Sequence, residues 1–276
     1  MTATPLTLLY APGDRPHIVA KALAAGADVV VIDLEDAVAP DRKEYARTAT
    51  AELLTEPQPV PVHVRVNALE SPWAPADLTA MTALPGLSGL RLPKVTSPEQ
   101  IVGLAERTAP ADGGAPPLYA LLETALGIER AYAIASAHAS LRGIGLGEAD
   151  LRAELGVRDD AGLDWSRSRV IVAARAAGLA PPPQSVHPDI RDLEGLAASC
   201  AHGRALGFLG RAAVHPRQLP VIERAYAPTA QEIEQAETIV KAATAEPGAL
   251  ALPDGRFIDA AVVAAAQRTL TLARRN

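Results

Sequence analysis

Only one cysteine occurs in the 276 residues. A single thiol cannot close an internal disulfide, so no disulfide framework holds this fold, and a reducing compartment is expected. Cys200 stands among alanine and serine in a helical stretch, a setting for a small buried hydrophobe rather than a nucleophile. No apolar run reaches the roughly 18 residues needed to span a bilayer, and the opening residues show no charged-then-apolar secretory pattern. A cytoplasmic protein with no membrane role is therefore expected. Positive charge is also scarce: the formal net charge is −6. The arginines of residues 167–175 read as one helix face and Arg274-Arg275 as a tail, so the basic stripe of a nucleic-acid binder is missing. Missing too are the Gly-x-Ser-x-Gly elbow of serine hydrolases, the Gly-rich Lys-Ser/Thr phosphate loop, any His/Cys cluster suited to zinc, and a lysine within a strand to form a Schiff base.

What is present is apolar material, 49% of the chain, laid out in alternation. Strand-like runs at residues 6–10, 28–34, 61–66, 89–92, 118–122, 142–146, 184–187 (short and weak) and 212–215 are separated by amphipathic helical stretches. The run at 28–34 has no polar alternation, as in a strand buried on both faces. Eight strand–helix units in this order predict an α/β fold, a (β/α)8 TIM barrel, over residues 1–228. A helical extension over residues 229–276 is not needed to close a barrel and is expected to pack on a neighbouring subunit. It opens with Thr229 and Glu232 as a capping box, breaks at Glu246-Pro247-Gly248, forms a small hairpin over residues 252–258 around Asp254-Gly255, and ends in a helix whose N-cap is Asp259.

Polar residues gather where the strands stop, the face on which such barrels hold their active sites. The fifth strand ends in Glu123 and the sixth in Gly147-Glu148-Ala149-Asp150. Two carboxylates from neighbouring strand ends can hold one Mg2+ and leave positions for water and a chelating substrate; they could equally be caps or ion-pair partners of loops. Arg65 interrupts an apolar strand, where a charge is costly unless paired. Its fork suits a substrate carboxylate, or else Asp33 or Glu35. Asp33, Glu35 and Asp36 crowd the end of the second strand and need a cation close by. At least one is expected to orient Arg65 or a metal-bound water, and Asp36 is also expected to cap the following helix. Gly13, Arg15 and Lys94 bring a turn and two cations to the same rim. His187 and His215, each followed by proline, read as hydrogen-bonded structural residues, and His138 and His202 as exposed residues on helices.

Together these pieces resemble the citrate lyase β-subunit-like branch of the aldolase/citrate lyase family. The segments that carry the resemblance are Ala11-Pro12-Gly13-Asp14-Arg15-Pro16, Val31-Ile32-Asp33-Leu34-Glu35-Asp36-Ala37-Val38, Val64-Arg65-Val66-Asn67, Leu92-Pro93-Lys94, Leu122-Glu123-Thr124, Gly147-Glu148-Ala149-Asp150-Leu151, Leu206-Gly207-Phe208 and His215-Pro216-Arg217-Gln218. The resemblance implies Mg2+ held by Glu123 and Asp150, a substrate gripped by Arg65 and Glu123, and catalytic parts for Glu35, Asp36 and Asp259. It also implies a coenzyme A thioester whose phosphates lie near Arg15 and Lys94. A homotrimer is implied in which Asp259 serves the neighbour's site. The implied activity is Mg2+-dependent carbon–carbon cleavage of a citryl-, citramalyl- or malyl-type thioester to a 2-oxo acid and acetyl-CoA, or the reverse. An aldolase acting on free hydroxy-oxo acids, and a non-catalytic β subunit that needs an acyl-carrier partner, remain open at this point.

Overall fold

The computed structural model describes residues 4–108, 115–245, 250–251, 255 and 257–274. The chain divides into two compact units, one of residues 5–225 and one formed mainly by residues from Tyr226 onward.

The larger unit is built on seven parallel strands: β1 (Thr7–Pro12), β2 (Val29–Asp33), β3 (Val62–Arg65), β4 (Leu87–Leu92), β5 (Leu118–Leu122), β6 (Leu141–Leu146) and β7 (Arg211–Ala213). They form one curled sheet in the order β6-β5-β4-β3-β2-β1-β7. Every residue of β2 is buried, as its unbroken apolar run predicts for a strand covered on both faces. Burying a valine or leucine of this kind contributes about 1.5–3 kcal/mol. Helices such as Pro16–Leu23, Lys43–Leu54 and Pro98–Thr108 connect consecutive strands, and Pro16 and Pro98 each stand in a first helical turn, where the missing N–H costs nothing.

The weak run at 184–187 forms a single parallel bridge, Gln184 to Arg211, rather than a strand. Gln184 N donates to Gly210 O and its carbonyl accepts from Ala212 N. Three prolines precede it and Pro188 follows His187, and a ring nitrogen has no hydrogen to give a ladder. On the other side Glu148 N meets Ser185 Oγ at 3.4 Å, so this segment lies between the ends of β7 and β6.

Other local expectations divide. Cys200 is fully buried in helix Leu193–Leu206. His202 is exposed on that helix and lies 2.9 Å from Asp164. His138 is exposed but stands in a loop, not a helix, with its ring bonded to Ser140. His215 has the structural role expected of it, accepting from Arg217 N at 3.1 Å.

In the smaller unit, helices Ala230–Ala245 and Ala260–Ala273 pack on one another. The capping box is present: Glu232 N donates to Thr229 Oγ1 at 3.2 Å and Thr229 N to Glu232 Oε2 at 2.8 Å. Strands β8 (Leu250–Ala251) and β9 (Phe257–Ile258) pair antiparallel. The Glu246-Pro247-Gly248 break, Asp254 of the expected turn and Arg275 lie outside the described residues. No helix among the described residues is long and apolar enough to cross a membrane.

Candidate active site

The carboxyl ends of β2 to β6 surround a cavity of about 380 Å3, a size suited to a small-molecule site. Asp33, Asp36, Arg65, Glu123 and Asp150 all line it.

Strands β2 and β3 pair with Asp33 opposite Arg65, so the acid and the guanidinium leave the sheet side by side. Arg65 Nε donates to Asp33 Oδ1 at 2.7 Å and Nη2 to Oδ2 at 2.6 Å, a bidentate fork. Its Nη1 lies 3.1 Å from Glu35 Oε2 and 3.6 Å from Asp36. Burial alone would favour a neutral guanidine; the hydrogen bonds and charge of Asp33 outweigh it and hold Arg65 more firmly protonated than a free guanidinium. The expectation that one acid of this group orients Arg65 is met by Asp33.

Asp33 also accepts from Glu35 N at 2.9 Å and Ala37 N at 3.0 Å, closing the turn after β2. Asp36 does not cap a helix, contrary to expectation. The next helical turn, Pro40–Arg42, starts from Ala39, and the Asp36 side chain stands 58% exposed at the cavity rim. The turn amides are already taken by Asp33, which leaves Asp36 free to face the site. Buried Lys43 completes the turn by donating to Leu34 O at 2.8 Å and Glu35 O at 2.6 Å.

Glu35 is buried, and burial pushes its carboxyl above the usual carboxylate range, partly offset by Arg65 and Lys94. Lys94 Nζ donates to Glu35 Oε1 at 2.9 Å. The Arg65 contact to Oε2 is not aligned as a hydrogen bond, so that buried oxygen has no donor. Lys94 is the one described non-glycine residue with a positive φ, 55°, a conformation that costs energy outside glycine. The bend brings its backbone N–H to Glu123 Oε2 at 3.1 Å. Its ammonium sits 3.7 Å from Asp150 and 3.9 Å from Asp36, inside the acidic group rather than out at the rim.

Glu123 follows β5 and is 4% exposed. A Cβ at position 147 would overlap its carboxyl, so Gly147 is what lets Glu123 lie against the next strand's end. Asp150 is in the first turn of helix Glu148–Leu155, with 47% of its side chain exposed. That helix is anchored by Glu148, whose carboxylate receives Arg167 Nε at 3.0 Å and Nη2 at 2.6 Å. Arg167 also binds Asp160 and Asp164, so this arginine is a buried strut rather than part of a solvated helix face.

Among the described residues no group of three or more His, Cys, Asp or Glu is arranged as a ready metal cage. The donor set nevertheless fits one hard divalent cation held by two carboxylates, with substrate and water completing the shell. Burial pushes Glu123 up to about 7, and the neighbouring charges of Glu35 and Asp150 add to the rise. A dication between Glu123 and Asp150 would relieve that repulsion. A carboxyl raised in the fold favours the folded state while protonated, and that advantage is lost as pH rises from the ordinary carboxylate value through about 7. A Mg2+ ion held here would take the ionised form, so its binding would tighten over the same interval and release a proton. Titration calorimetry at pH 6 in buffers of differing ionisation enthalpy is expected to show this release, and at pH 8.5 to show almost none.

The remaining expected residues are placed as follows. Arg15 stands at the N-terminus of helix Pro16–Leu23 with its side chain 57% exposed, 3.9 Å from Asp14. The Gly13 N–H of the turn donates to Asp33 O at 2.9 Å. Asp259 belongs to the smaller unit, where it caps helix Ala260–Ala273 by accepting from Val262 N at 2.9 Å. Reading the sequence missed the roles of Lys43, Gly147 and Arg167 and passed over a buried arginine on β4, Arg91. For Arg91 the signal was available, since it interrupts an apolar strand just as Arg65 does.

Comparison with known proteins places the chain in a family. Residues 6–216 match the HpcH/HpaI aldolase/citrate lyase family. The (3S)-malyl-CoA thioesterase of Cereibacter sphaeroides (strain ATCC 17025) is 33% identical, the match covering 97% of this chain and 94% of the relative. The citrate lyase subunit beta of Escherichia coli K12 is 33% identical over 99% of this chain and 94% of its own. Among solved structures, the CitE protein of Mycobacterium tuberculosis in complex with magnesium, acetoacetate and coenzyme A superposes with a TM-score of 0.82 at 34% identity, covering 99% of both chains. The chain belongs to the HpcH/HpaI aldolase/citrate lyase family.

Proposed function

We propose that this chain is a Mg2+-dependent carbon–carbon lyase that cleaves a β-hydroxyacyl coenzyme A thioester to a 2-oxo acid and acetyl-CoA, or runs the reverse condensation. The observation that carries this reading is the convergence of Glu123 and Asp150 with the Asp33-braced Arg65 in one cavity. Glu123 and Asp150 would hold the Mg2+, which when bound supplies electrophilic stabilisation of the oxygen that gains charge as the bond breaks.

The chain's own groups supply the rest. Arg65, fixed by Asp33, presents its Nη1 edge to the substrate carboxylate. Glu35 Oε2, buried and without a donor, takes the β-hydroxyl proton, and its raised affinity for protons suits it to that task. Lys94 keeps Glu35 in place, and Asp36 extends the acidic rim. The carbon–carbon bond then parts into a 2-oxo acid and a thioester enolate, whose α-carbon receives a proton from Asp259. In condensation Asp259 removes that proton, a step for which a carboxylate needs a desolvated position and a polarised thioester. Arg15, exposed at a helix N-terminus, is assigned to the coenzyme A phosphates. Lys94 has less to offer them, since Glu35 already neutralises it.

Three structural expectations belong with this reading. The 184–187 segment completes the curled sheet as an eighth stave, its bridge to Arg211 and its contact with Glu148 N supporting that closure. The segment from residue 229 onward is a separate appendage. It lies on a neighbouring subunit of a homotrimer and carries Asp259 into that subunit's site.

Incubating the purified chain with citryl-, citramalyl- and malyl-CoA, with Mg2+ or excess chelator, is expected to release a 2-oxo acid from at least one thioester only with the metal. Mixing Asp259→Asn with Glu123→Ala protein under subunit exchange is expected to restore part of that activity. No cleavage of any thioester overturns the lyase assignment, and no restoration places Asp259 in its own chain's site.

A further inference from the structure

Arg91 is a buried cation with no counter-ion among the described residues. It lies on β4 between Leu90 and Leu92, and is 5% exposed. Its register partners are Arg65 on β3 and Tyr119 on β5, so two arginines stand side by side at one level of the sheet. Their surroundings differ sharply. Arg65 is met by Asp33 and Glu35. Arg91 makes no ion pair among the described residues, and its Nε is buried with no hydrogen-bond partner.

The groups around Arg91 cannot neutralise it. Its guanidinium carbon lies 5.3 Å from the Tyr119 ring centroid, which in turn stacks on His63 at 4.4 Å. Burial, with Arg91 itself, keeps His63 neutral. A ring face offsets part of the desolvation cost of a guanidinium but leaves its N–H groups unbonded. Arginine stays charged at any working pH. An unpaired buried charge is expensive, and a buried polar group left without a partner calls for an explanation, a bound ion or a catalytic role among them. Arg91 lines the same cavity as Arg65, Glu123 and Asp150. Two residues beyond its register partner Tyr119, β5 turns Leu121 to the cavity, paired with Gly145 on β6, one apolar and one with no side chain.

We propose that Arg91 is a specificity-determining residue that receives a second carboxylate of the acyl group. Arg65 serves the carboxylate next to the reacting carbon, and Arg91 the one further along. The chain then favours thioesters whose cleavage releases a dicarboxylic 2-oxo acid, such as oxaloacetate, over those that release a monocarboxylic one, such as pyruvate or glyoxylate. This inference rests on the lyase reading for its substrate class, but the anion site can be measured without turnover.

The test compares binding of freshly dissolved oxaloacetate and of pyruvate to the Mg2+-loaded full chain by calorimetry, for the wild type, Arg91→Met and Arg91→Lys. The wild type is expected to bind oxaloacetate about 10- to 100-fold more tightly than pyruvate, the span of a charge-assisted hydrogen bond. Arg91→Met loses this preference and keeps its pyruvate affinity, and Arg91→Lys retains part of it. The thermal midpoint of the metal-free Arg91→Met protein is unchanged or higher, because an unpaired buried charge is gone; a purely structural arginine would lower it. Equal affinity of the wild type for both acids, an equal loss for both in Arg91→Met, or a lowered midpoint with the preference intact would each overturn the proposal. If the preference depends on Arg91 but no thioester is cleaved, the lyase reading fails and the anion site stands. If thioesters are cleaved with a selectivity indifferent to Arg91, only this inference fails.

Discussion

Glu123→Gln is expected to lower the rate of thioester cleavage by roughly 1,000-fold, since it removes a proposed metal ligand and with it the charge stabilisation of the transition state. The replacement keeps the shape of the side chain. The amide can still accept from Lys94 N, as Glu123 Oε2 does at 3.1 Å, and it still fits the space that Gly147 leaves. What disappears is the negative charge. Without metal the variant should be as stable as the wild type or more so at pH 8, because a carboxyl that burial has pushed up to about 7 is ionised there at a cost. Loss of activity and Mg2+ binding with stability kept or raised is therefore the expected signature. A variant that binds Mg2+ normally and turns over at the wild-type rate would show that Glu123 is not a ligand.

Arg65→Met is expected to have the second-largest effect, with a different signature. It removes the group proposed to hold the substrate carboxylate and also strips the counter-ion from two buried acids, Asp33 at 1% and Glu35 at 5% exposure. Breaking one side of a buried pair typically costs about 3–5 kcal/mol. Asp33 keeps its two backbone donors and Glu35 keeps Lys94, so the lower end of that range is expected, measured as a shift in urea midpoint at pH 7.5. Arg65→Lys should recover part of the stability and little of the activity, because an ammonium cannot reproduce the two-bond fork on Asp33. Equal stability of the wild type and Arg65→Met would mean that the fork is not a structural element.

The Arg65–Asp33 pair and the two acids Glu123 and Asp150 at the cavity were legible in the sequence to different depths. Apolar runs ending in acids revealed the strand order and the rim on which Glu123, Asp150 and Arg65 stand, since burial on both faces leaves an unmistakable run such as residues 28–34. The pairing of Arg65 was only a choice between partners. It is settled by the register that sets Asp33 opposite it, and register is a property of the folded sheet. The misreading of Asp36 as a helix cap has the same origin. Whether a turn amide is free depends on Asp33 turning back on its own loop. Lys43 and Arg167 look like ordinary surface charges on helices, and only the folded chain shows them buried against a carbonyl pair and an acidic trio. The run at 184–187 was weak for a reason visible in the chain itself, a proline cluster before it and Pro188 after it, which limits its pairing to one bridge.

The most direct measurement is a crystal of the protein grown with Mg2+ and oxaloacetate. One octahedral ion is expected, bound by carboxylate oxygens of Glu123 and Asp150 and by the oxo acid, with the acid's carboxylate in contact with Arg65. An ion seated on other side chains, or an oxo acid held away from both Glu123 and Asp150, would contradict the proposed site.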